Sequence, residues 1–517
     1  MNNNGLDSFK KTASLLARNA TTLFVLGSLS LLSACGGGGG GGGSAPSPAV
    51  SATSTSSSKT STSVSASASA SASAPTSAPT SSATVNPTVA AAPPVIAVST
   101  PSPVAADPVE AESLKKAEPT AAYVLPPGAR DLVQPALEDA SDALSEQSQL
   151  LIDCVILLTQ EAGCSLDTLP LIGMLTEDPS IDEIMQRVLV SHPWMGSRFR
   201  EVLEKMPAEM LLMMRGVTAI VISYDIRPSK YSIYSGAIYL DPNVMWLTRE
   251  ERDVIDDTPD FRSGYGAELQ FDFLRRYVIS NTDIQSLPRD IDTISLSTAS
   301  LLFHLLAHAN NLISPADIDL LDRFLPIHLA LTGVSTSSRL SATYPLQSST
   351  LEALAAVSFL GELSSAVQQE STAADLGAQF AADYASDYFN YTSEFEDFAM
   401  IFEEAMMFHS FGVQKDVAFT QAGGSRCGDY IVEWGQRNRL ADPAVQARAN
   451  FVVAELLPEY AAAVENTLAS MPGVVSMTTG LSWCSNINLN VASTSASINN
   501  GSVDVDDAPV EALPSED

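Results

Sequence analysis

The chain has 517 residues, of which 60 are acidic and 27 are basic, so its formal net charge at neutral pH is −33. Affinity for nucleic acid rests on lysine and arginine side chains that neutralise phosphates, so this charge excludes nucleic acid as an expected partner. Solubility in a salty exterior is enough to explain the acidity, which identifies no ligand by itself.

The first residues follow the order of an export signal. Three basic residues precede an apolar segment at 21–32, which is too short to cross a bilayer as a helix. The segment closes with Leu-Ser-Ala before Cys35, which resembles the lipobox of bacterial lipoproteins, where the cysteine is acylated and becomes the mature N-terminus. The glycine run at 36–43 favours this interpretation over an ordinary secretory signal that happens to contain a cysteine. We therefore predict a signal peptide at 1–34 and a lipid on Cys35.

The anchor also predicts where the protein resides. A glycine rather than an aspartate follows Cys35, which resembles the pattern of outer-membrane sorting in Gram-negative bacteria. We expect a lipid-anchored protein of the cell envelope, with the bilayer as its first partner. Residues 35–118 continue in Gly, Ser, Ala, Thr and Pro, a composition that cannot bury enough apolar surface to order itself, and they predict a disordered linker.

Residues 119–490 have the regular Leu, Val, Phe and Met spacing of a folded domain, and 491–517 form a polar, acidic tail that we expect to be disordered. The length of the folded part is compatible with one large domain or two intimate subdomains. Recurring apolar residues at helical spacing, and two β-branched runs, predict a mostly helical α+β fold with a small early sheet. The predicted helices are 136–159, 181–205 with a break at Pro193, 294–312, 320–331, 350–369, 373–388, 394–408 and 444–468 with a kink at Pro458; the predicted strands are 219–224 and 232–240, as a hairpin or as neighbours joined by a turn at 227–230.

Four cysteines remain once Cys35 is assigned to lipid. An even number in an oxidising, exported setting predicts two disulfides, for which three pairings exist. The simplest is Cys154 with Cys164 and Cys427 with Cys484. Because no pair has the CxxC spacing, a cysteine-based zinc site is not expected.

His304 and His308 are the pair of residues that best predicts chemistry. The chain has only five histidines, and these two lie four residues apart on the most apolar predicted helix. At this spacing both imidazoles lie on one helix face and can reach one metal ion. Two polar residues on a helix that is otherwise core are the alternative.

A second segment resembles the zincin metallopeptidases of the gluzincin type. In that family HExxH supplies two zinc ligands, and a glutamate on a later helix, often followed by x-Phe-Ala, supplies the third. The match is Glu396, in Glu-Asp-Phe-Ala, and the resemblance implies zinc held by His304, His308 and Glu396, with Asp397 orienting a histidine. The family also has an edge strand ahead of the motif helix, a place that 236–240 would fill. Acidic residues that stabilise a helix N-terminus are the alternative for Glu396 and Asp397.

The sequence departs from the family at Leu305. In HExxH this position is the glutamate that takes a proton from the attacking water, and leucine cannot accept a proton. We therefore expect a zinc-metallopeptidase-like domain that does not hydrolyse peptides and serves as a binding or structural envelope protein, with a protein or peptide as its ligand. The alternatives are an active peptidase whose base is relocated to Glu394, Glu403 or Glu404, and an interaction module without metal.

Overall fold

The structure is a computed structural model that describes residues 134–135, 146–156, 163–313 and 315–491. The predicted signal peptide at 1–34, Cys35 and the linker at 35–118 lie outside these residues. The same is true of the predicted acidic tail, except for its first residue.

Short strands and helices alternate in the first half of the described chain, and helices dominate later. The elements, labelled in chain order, are β1 (Gln134–Pro135), α1 (Glu146–Val155), α2 (Ile181–Met185), β2 (Val188–Val190), α3 (Pro193–Leu203), α4 (Ala208–Met213), β3 (Ala219–Ile222), β4 (Lys230–Ser232), β5 (Ala237–Leu240), α5 (Arg249–Arg252), β6 (Phe271–Ile279), β7 (Thr282–Asp283), α6 (Ile291–Asn310), α7 (Ile327–Ala330), α8 (Thr336–Thr343), α9 (Ser349–Leu360), α10 (Ala366–Gln369), α11 (Ala373–Ala382), α12 (Glu394–Phe411), β8 (Gln414–Gln421), β9 (Val432–Arg437), α13 (Pro443–Leu456), α14 (Ala461–Ala469) and β10 (Val475–Ser476). The fold is therefore α+β, as the sequence predicted at this coarse level, and it contains two small sheets.

The first sheet has the strand order β1-β2-β3-β5-β4, with β2, β3 and β5 parallel and both edge strands antiparallel. Its central strands are apolar on both faces. In β3, Ile220 and Ile222 face the largest core cluster, while Ala219 and Val221 face a smaller cluster that includes α1. A strand of a parallel sheet that is covered on both faces has a continuous run of apolar residues. For this reason β3 shows no alternation of apolar and polar residues in sequence.

Several predictions for this region are wrong. The hairpin is wrong because β3 and β5 pair in parallel, whereas the other alternative, two neighbouring strands, is confirmed. The stretch assigned to a turn contributes Lys230 to the edge strand β4. The edge position assigned to 236–240 is an interior one, because β5 lies between β3 and β4. Residues 188–190, predicted within a helix, form β2, since three consecutive buried apolar residues suit a strand as well as a helix. Pro193 begins α3, as expected of a proline in the first helical turn.

The second sheet was not predicted. It has the order β10-β9-β8-β6-β7, and all its pairings are antiparallel. Phe271 and Phe419 face a cluster rich in aromatic side chains, while Leu274 and Ala418 face a cluster on the opposite side. Charged residues within β6, including the buried Arg276, hide the apolar alternation that would identify a strand.

The helical predictions hold best where the apolar pattern is long. Residues 294–312 and 394–408 correspond to α6 and α12, and the stretch around Pro458 separates α13 from α14 as expected. The prediction for 320–331 is wrong, because it holds only the end of a 3-10 turn and the four-residue α7. The prediction for 373–388 extends too far, since α11 ends at Ala382.

Both predicted disulfides are confirmed. Cys154 bonds to Cys164, and Cys427 bonds to Cys484. The first joins α1 to the segment that follows it, and the second joins the loop after β8 to the end of the second sheet.

A buried ion pair links α12 to the second sheet. The Lys415 ammonium lies 2.7 Å from Asp387 and 3.9 Å from Glu404, and Arg275 contributes a second cation at 3.3 Å from Asp387. Burial alone raises the pKa of Asp387, but Lys415 and Arg275 outweigh it and lower that pKa to about 2. Burial raises the pKa of Glu404 to about 7.

This pair predicts an acid-dependent loss of stability. A carboxyl whose pKa is lowered by folding stabilises the protein above its unfolded pKa of 3.8, and this contribution disappears as the pH falls towards 2. We expect Asp387→Asn to flatten the dependence of unfolding free energy on pH between 4 and 2, measured by urea titration. The control is Asp257→Asn, which removes a carboxyl at an exposed position instead of one in a buried ion pair. Equal slopes in wild type and Asp387→Asn would contradict the prediction.

Candidate metal centre

Helix α6 carries His304 and His308 through the middle of the protein. The Asp290 side chain caps its first turn by accepting a hydrogen bond from the Thr293 amide. Every residue from Ala299 to Ala307 is buried. The helix is therefore a core element rather than an amphipathic surface helix. His304 is therefore held among packed apolar side chains, which restrict its rotamers, and His308 follows directly after this buried stretch.

Helix α12 packs along α6 and carries Glu396 in its first turn. Ser393 caps this helix by accepting a hydrogen bond from the Glu396 amide, and Gly412 ends it in a left-handed conformation (φ 66°). The Glu396 side chain does more than stabilise the helix N-terminus, because it is 2 % exposed and its carboxylate lies against His304 on α6.

The three residues converge on one point. His304 Nε2 lies 3.0 Å from Glu396 Oε2 and 3.0 Å from His308 Nε2, and His308 Nε2 lies 3.4 Å from Glu396 Oε2. The structure thus brings together the three side chains that the sequence selected, as a group able to hold a metal ion.

The spacing of these atoms fits zinc. Tetrahedral zinc with bonds of about 2.0–2.1 Å places its ligand atoms roughly 3.3 Å from one another, and the three observed separations bracket that value. Neutral imidazoles with hydrogen on Nδ1 would direct two nitrogen lone pairs and a carboxylate oxygen at the same point. Such an arrangement requires a cation, either a proton or a metal.

Glu403 contacts the ring nitrogen of His304 that faces away from the other two ligands. Its Oε2 lies 3.2 Å from His304 Nδ1, and its other oxygen accepts hydrogen bonds from Ser300 and Tyr277. A carboxylate that accepts from Nδ1–H holds the imidazole with Nε2 free for a metal and makes it a stronger ligand. Glu403 follows Glu396 by seven residues, or two helical turns, so it lies on the same face of α12. That spacing was the available sequence signal.

Electrostatics at the site reflect its burial. Burial lowers the pKa of His304, but Glu396 and Glu403 outweigh it and raise that pKa above its ordinary value. Burial also lowers the pKa of His308, and here the lowering prevails. Burial raises the pKa of Glu396, whereas His308 and His304 bring it down to about 2. The carboxylate stays ionised, while positive charge is favoured on the His304 side.

The predicted role of Asp397 is wrong. Its carboxylate binds the Arg448 guanidinium and accepts a hydrogen bond from Asn390 at 2.8 Å. Adjacent residues on a helix point about 100° apart, so Asp397 cannot share the direction of Glu396. Asp397 instead ties α12 to α13, and Glu403 takes the place expected of it beside the histidine.

The candidates for a relocated base are occupied elsewhere. Glu403 faces Nδ1 of His304, on the far side of the ring from Nε2. Glu404 lies with Lys415 near the second sheet, and Glu394 accepts a hydrogen bond from Ser338 at 2.7 Å. Leu305, at the position of the family's base, is fully buried in the largest core cluster.

Glu403→Gln tests the support that this carboxylate gives to His304. The amide keeps the size of the side chain but loses the charge that polarises the imidazole. Loss of such a supporting carboxylate costs about 10–100-fold in metal affinity, and we expect zinc affinity to fall within that range, as measured by competition with a chromogenic chelator. Glu404→Gln is the matched control on the same helix and should retain wild-type affinity. Equal losses in the two variants would show that the effect is not specific to His304.

Comparisons with known proteins do not identify a relative of this chain. No family model, curated protein or solved structure matches the chain. In the part of the chain that the structure describes, each helix is too short or too polar to cross a membrane.

Proposed function

We propose that the chain is an envelope lipoprotein whose domain binds zinc in a zincin-like site and does not hydrolyse peptides. The observation that carries this proposal is the convergence of His304 Nε2, His308 Nε2 and Glu396 Oε2 within 3.4 Å of one another. The bound ion would supply a Lewis acid, while the three side chains fix its position.

The sheet beside the motif helix supports the zincin resemblance. The edge strand β4 runs antiparallel to its neighbour β5, and it packs against α6, which carries both histidines. The resemblance to zincins implies an edge strand ahead of the motif helix, and β4 is the strand that would correspond to it. The Glu-x-Phe-Ala sequence also begins a helix packed on α6, as in the family resemblance.

Charge balance supports a divalent cation. Two carboxylates, Glu396 and Glu403, lie buried against two histidines. A divalent ion on neutral imidazoles would compensate both negative charges, whereas one protonated histidine compensates only one. Uncompensated charge in a low-dielectric interior is costly, so the donor set favours the metal-loaded state.

The environment of Leu305 supports a site without peptidase activity. Its side chain is apolar and cannot remove a proton from water, and the glutamates considered as substitutes make other contacts. A buried histidine pair without carboxylate neighbours would have favoured a metal-free interaction module. Both nitrogens of His304 instead face carboxylates, which weighs against that alternative.

Metal analysis of a purified fragment beginning near residue 119 tests the proposal. We expect one zinc ion per chain by mass spectrometry, removable by a chelator and restored by added zinc. The same fragment should not cleave an unfolded protein substrate with zinc present. A fragment that folds but takes up no zinc would remove the metal site, and chelator-sensitive cleavage would favour an active peptidase with a relocated base.

A further inference from the structure

A cleft lies beside α4, away from the metal centre. This cleft, of about 810 Å³, opens between the segment after Gly173, helix α4, the 3-10 turn near Ile318, and the junction of α13 and α14. This volume is within the roughly 300–1,000 Å³ typical of ligand pockets. The opposite side of α4 contacts α6, where Asn310 donates a hydrogen bond to the Met213 carbonyl. The cleft is thus a different surface from the metal centre.

The lining of the cleft is amphipathic. Leu211, Leu212, Ile318 and Tyr460 provide apolar surface, and four carboxylates surround it: Glu177, Asp178, Asp319 and Glu459. Arg215 is the one cation among the described lining residues. It is already bound to Glu459 at 3.1 Å and to the Leu212 carbonyl at 3.1 Å. We call this surface, defined by these lining residues, the acidic cleft.

Exposed apolar side chains extend the acidic cleft at one end. Leu175 is 60 % exposed and Leu320 is 78 % exposed, and the 3-10 turns that carry or precede them pack against each other. Single exposed apolar residues are ordinary, but two next to lining segments of an open cleft mark a surface suited to binding.

We propose that the acidic cleft binds a cationic peptide segment with interspersed apolar side chains. Lysine or arginine would meet the carboxylates, and leucine-like side chains would cover the floor and the exposed residues at its end. The negative charge of the cleft disfavours negatively charged ligands. Anionic lipid surfaces and nucleic acids carry the same sign as the cleft, and a second copy of a chain with net charge −33 is repelled in the same way. The inference goes beyond the zinc site and does not depend on it.

Binding of defined peptides to the purified full-length chain tests this inference. The probe is a fluorescein-labelled peptide of repeated Leu-Lys-Lys-Leu units, and its control is the same peptide with glutamate for lysine. We expect fluorescence anisotropy to show saturable binding of the lysine peptide alone, weakened by added salt because exposed charges are screened. Equal binding of the two peptides would overturn the assignment.

Charge-matched variants locate the binding surface. The triple variant Glu177→Gln, Asp178→Asn, Asp319→Asn removes three exposed carboxylates of the cleft and should weaken binding by about tenfold, given the modest contribution of each exposed charge pair. The control, Glu250→Gln, Asp253→Asn, Asp257→Asn, makes the same change in net charge on exposed residues elsewhere. Equal losses in both triples would mean attraction to the whole acidic surface and would contradict the proposal.

Two further outcomes separate this inference from others. Retained peptide binding by a His304→Ala variant is expected, and its loss would mean that the peptide binds at the metal centre instead. Self-association that the cleft triple variant abolishes would assign the cleft to a second copy of the chain and overturn the peptide assignment. Circular dichroism melting of each variant confirms that binding is compared between folded proteins.

Discussion

His304→Ala is expected to abolish zinc binding and to destabilise the protein by about 3–5 kcal/mol. This side chain is 2 % exposed and contacts Glu396 with one nitrogen and Glu403 with the other. Its removal leaves two buried carboxylates without their shared partner, and a buried charge without a partner is among the most costly defects in a protein interior. The loss of a ligand should reduce zinc affinity by more than the 10–100-fold expected for a supporting residue.

Zinc content and thermal unfolding of the His304→Ala variant check both parts of this prediction. His409→Ala is the control, because His409 is a partly buried histidine on α12 that lies 3.5 Å from a carboxylate, Glu209, away from the three convergent atoms. The control should keep full zinc content and lose much less stability. A His304→Ala variant with wild-type zinc content would show that the three convergent atoms do not form the metal site.

Leu305→Glu is expected to confer peptide hydrolysis on the zinc-loaded protein. Position 305 lies about 100° around α6 from His304 and about 60° from His308, so it borders the face that carries both histidines. A carboxylate there would supply the base that the zincin pattern places after its first histidine. General bases contribute about 10²–10⁴-fold to rate, and we expect an increase of that order over the wild-type background.

The appropriate control for Leu305→Glu is Leu305→Gln. Both substitutions place a polar side chain of the same size in a fully buried position, but only glutamate can accept a proton, and its charge makes it the more destabilising of the two. Cleavage of an unfolded protein substrate, with and without a chelator, is the measurement. If both variants fold and bind zinc while neither cleaves, the missing base is not what keeps the site inactive.

Much of the metal centre was predictable because local rules determine it. Helix periodicity places residues four apart on one face, which made His304 and His308 a pair before any tertiary structure was known. Glu396 followed from the family pattern. Asp397 follows Glu396 directly, so its side chain points about 100° away around the helix and binds Arg448 instead of a histidine. Helix geometry alone places Glu403, two turns beyond Glu396, on the same face.

The pairing of strands in the two sheets could not be predicted from local sequence patterns. The parallel order of β3 and β5 depends on β4 being inserted at the edge, and no local pattern encodes a pairing between separated strands. In β6, Arg276 is buried because Asp416 lies 2.9 Å away on the neighbouring strand β8. Arg276 and Asp416 are 140 residues apart in sequence. Without knowledge of this partner, an arginine is predicted to be exposed to solvent.

The placement of the ligands on two separate helices gives the metal centre a mechanical role. His308 and Glu396 enclose residues 309–395, which contribute helices α7 to α11 and most of the aromatic cluster behind the second sheet. An ion bound across them would act as a reversible cross-link that closes this long loop, and closing long loops restricts the unfolded chain most. Zinc would then govern how readily this segment opens to proteases, whether or not the site performs any chemistry.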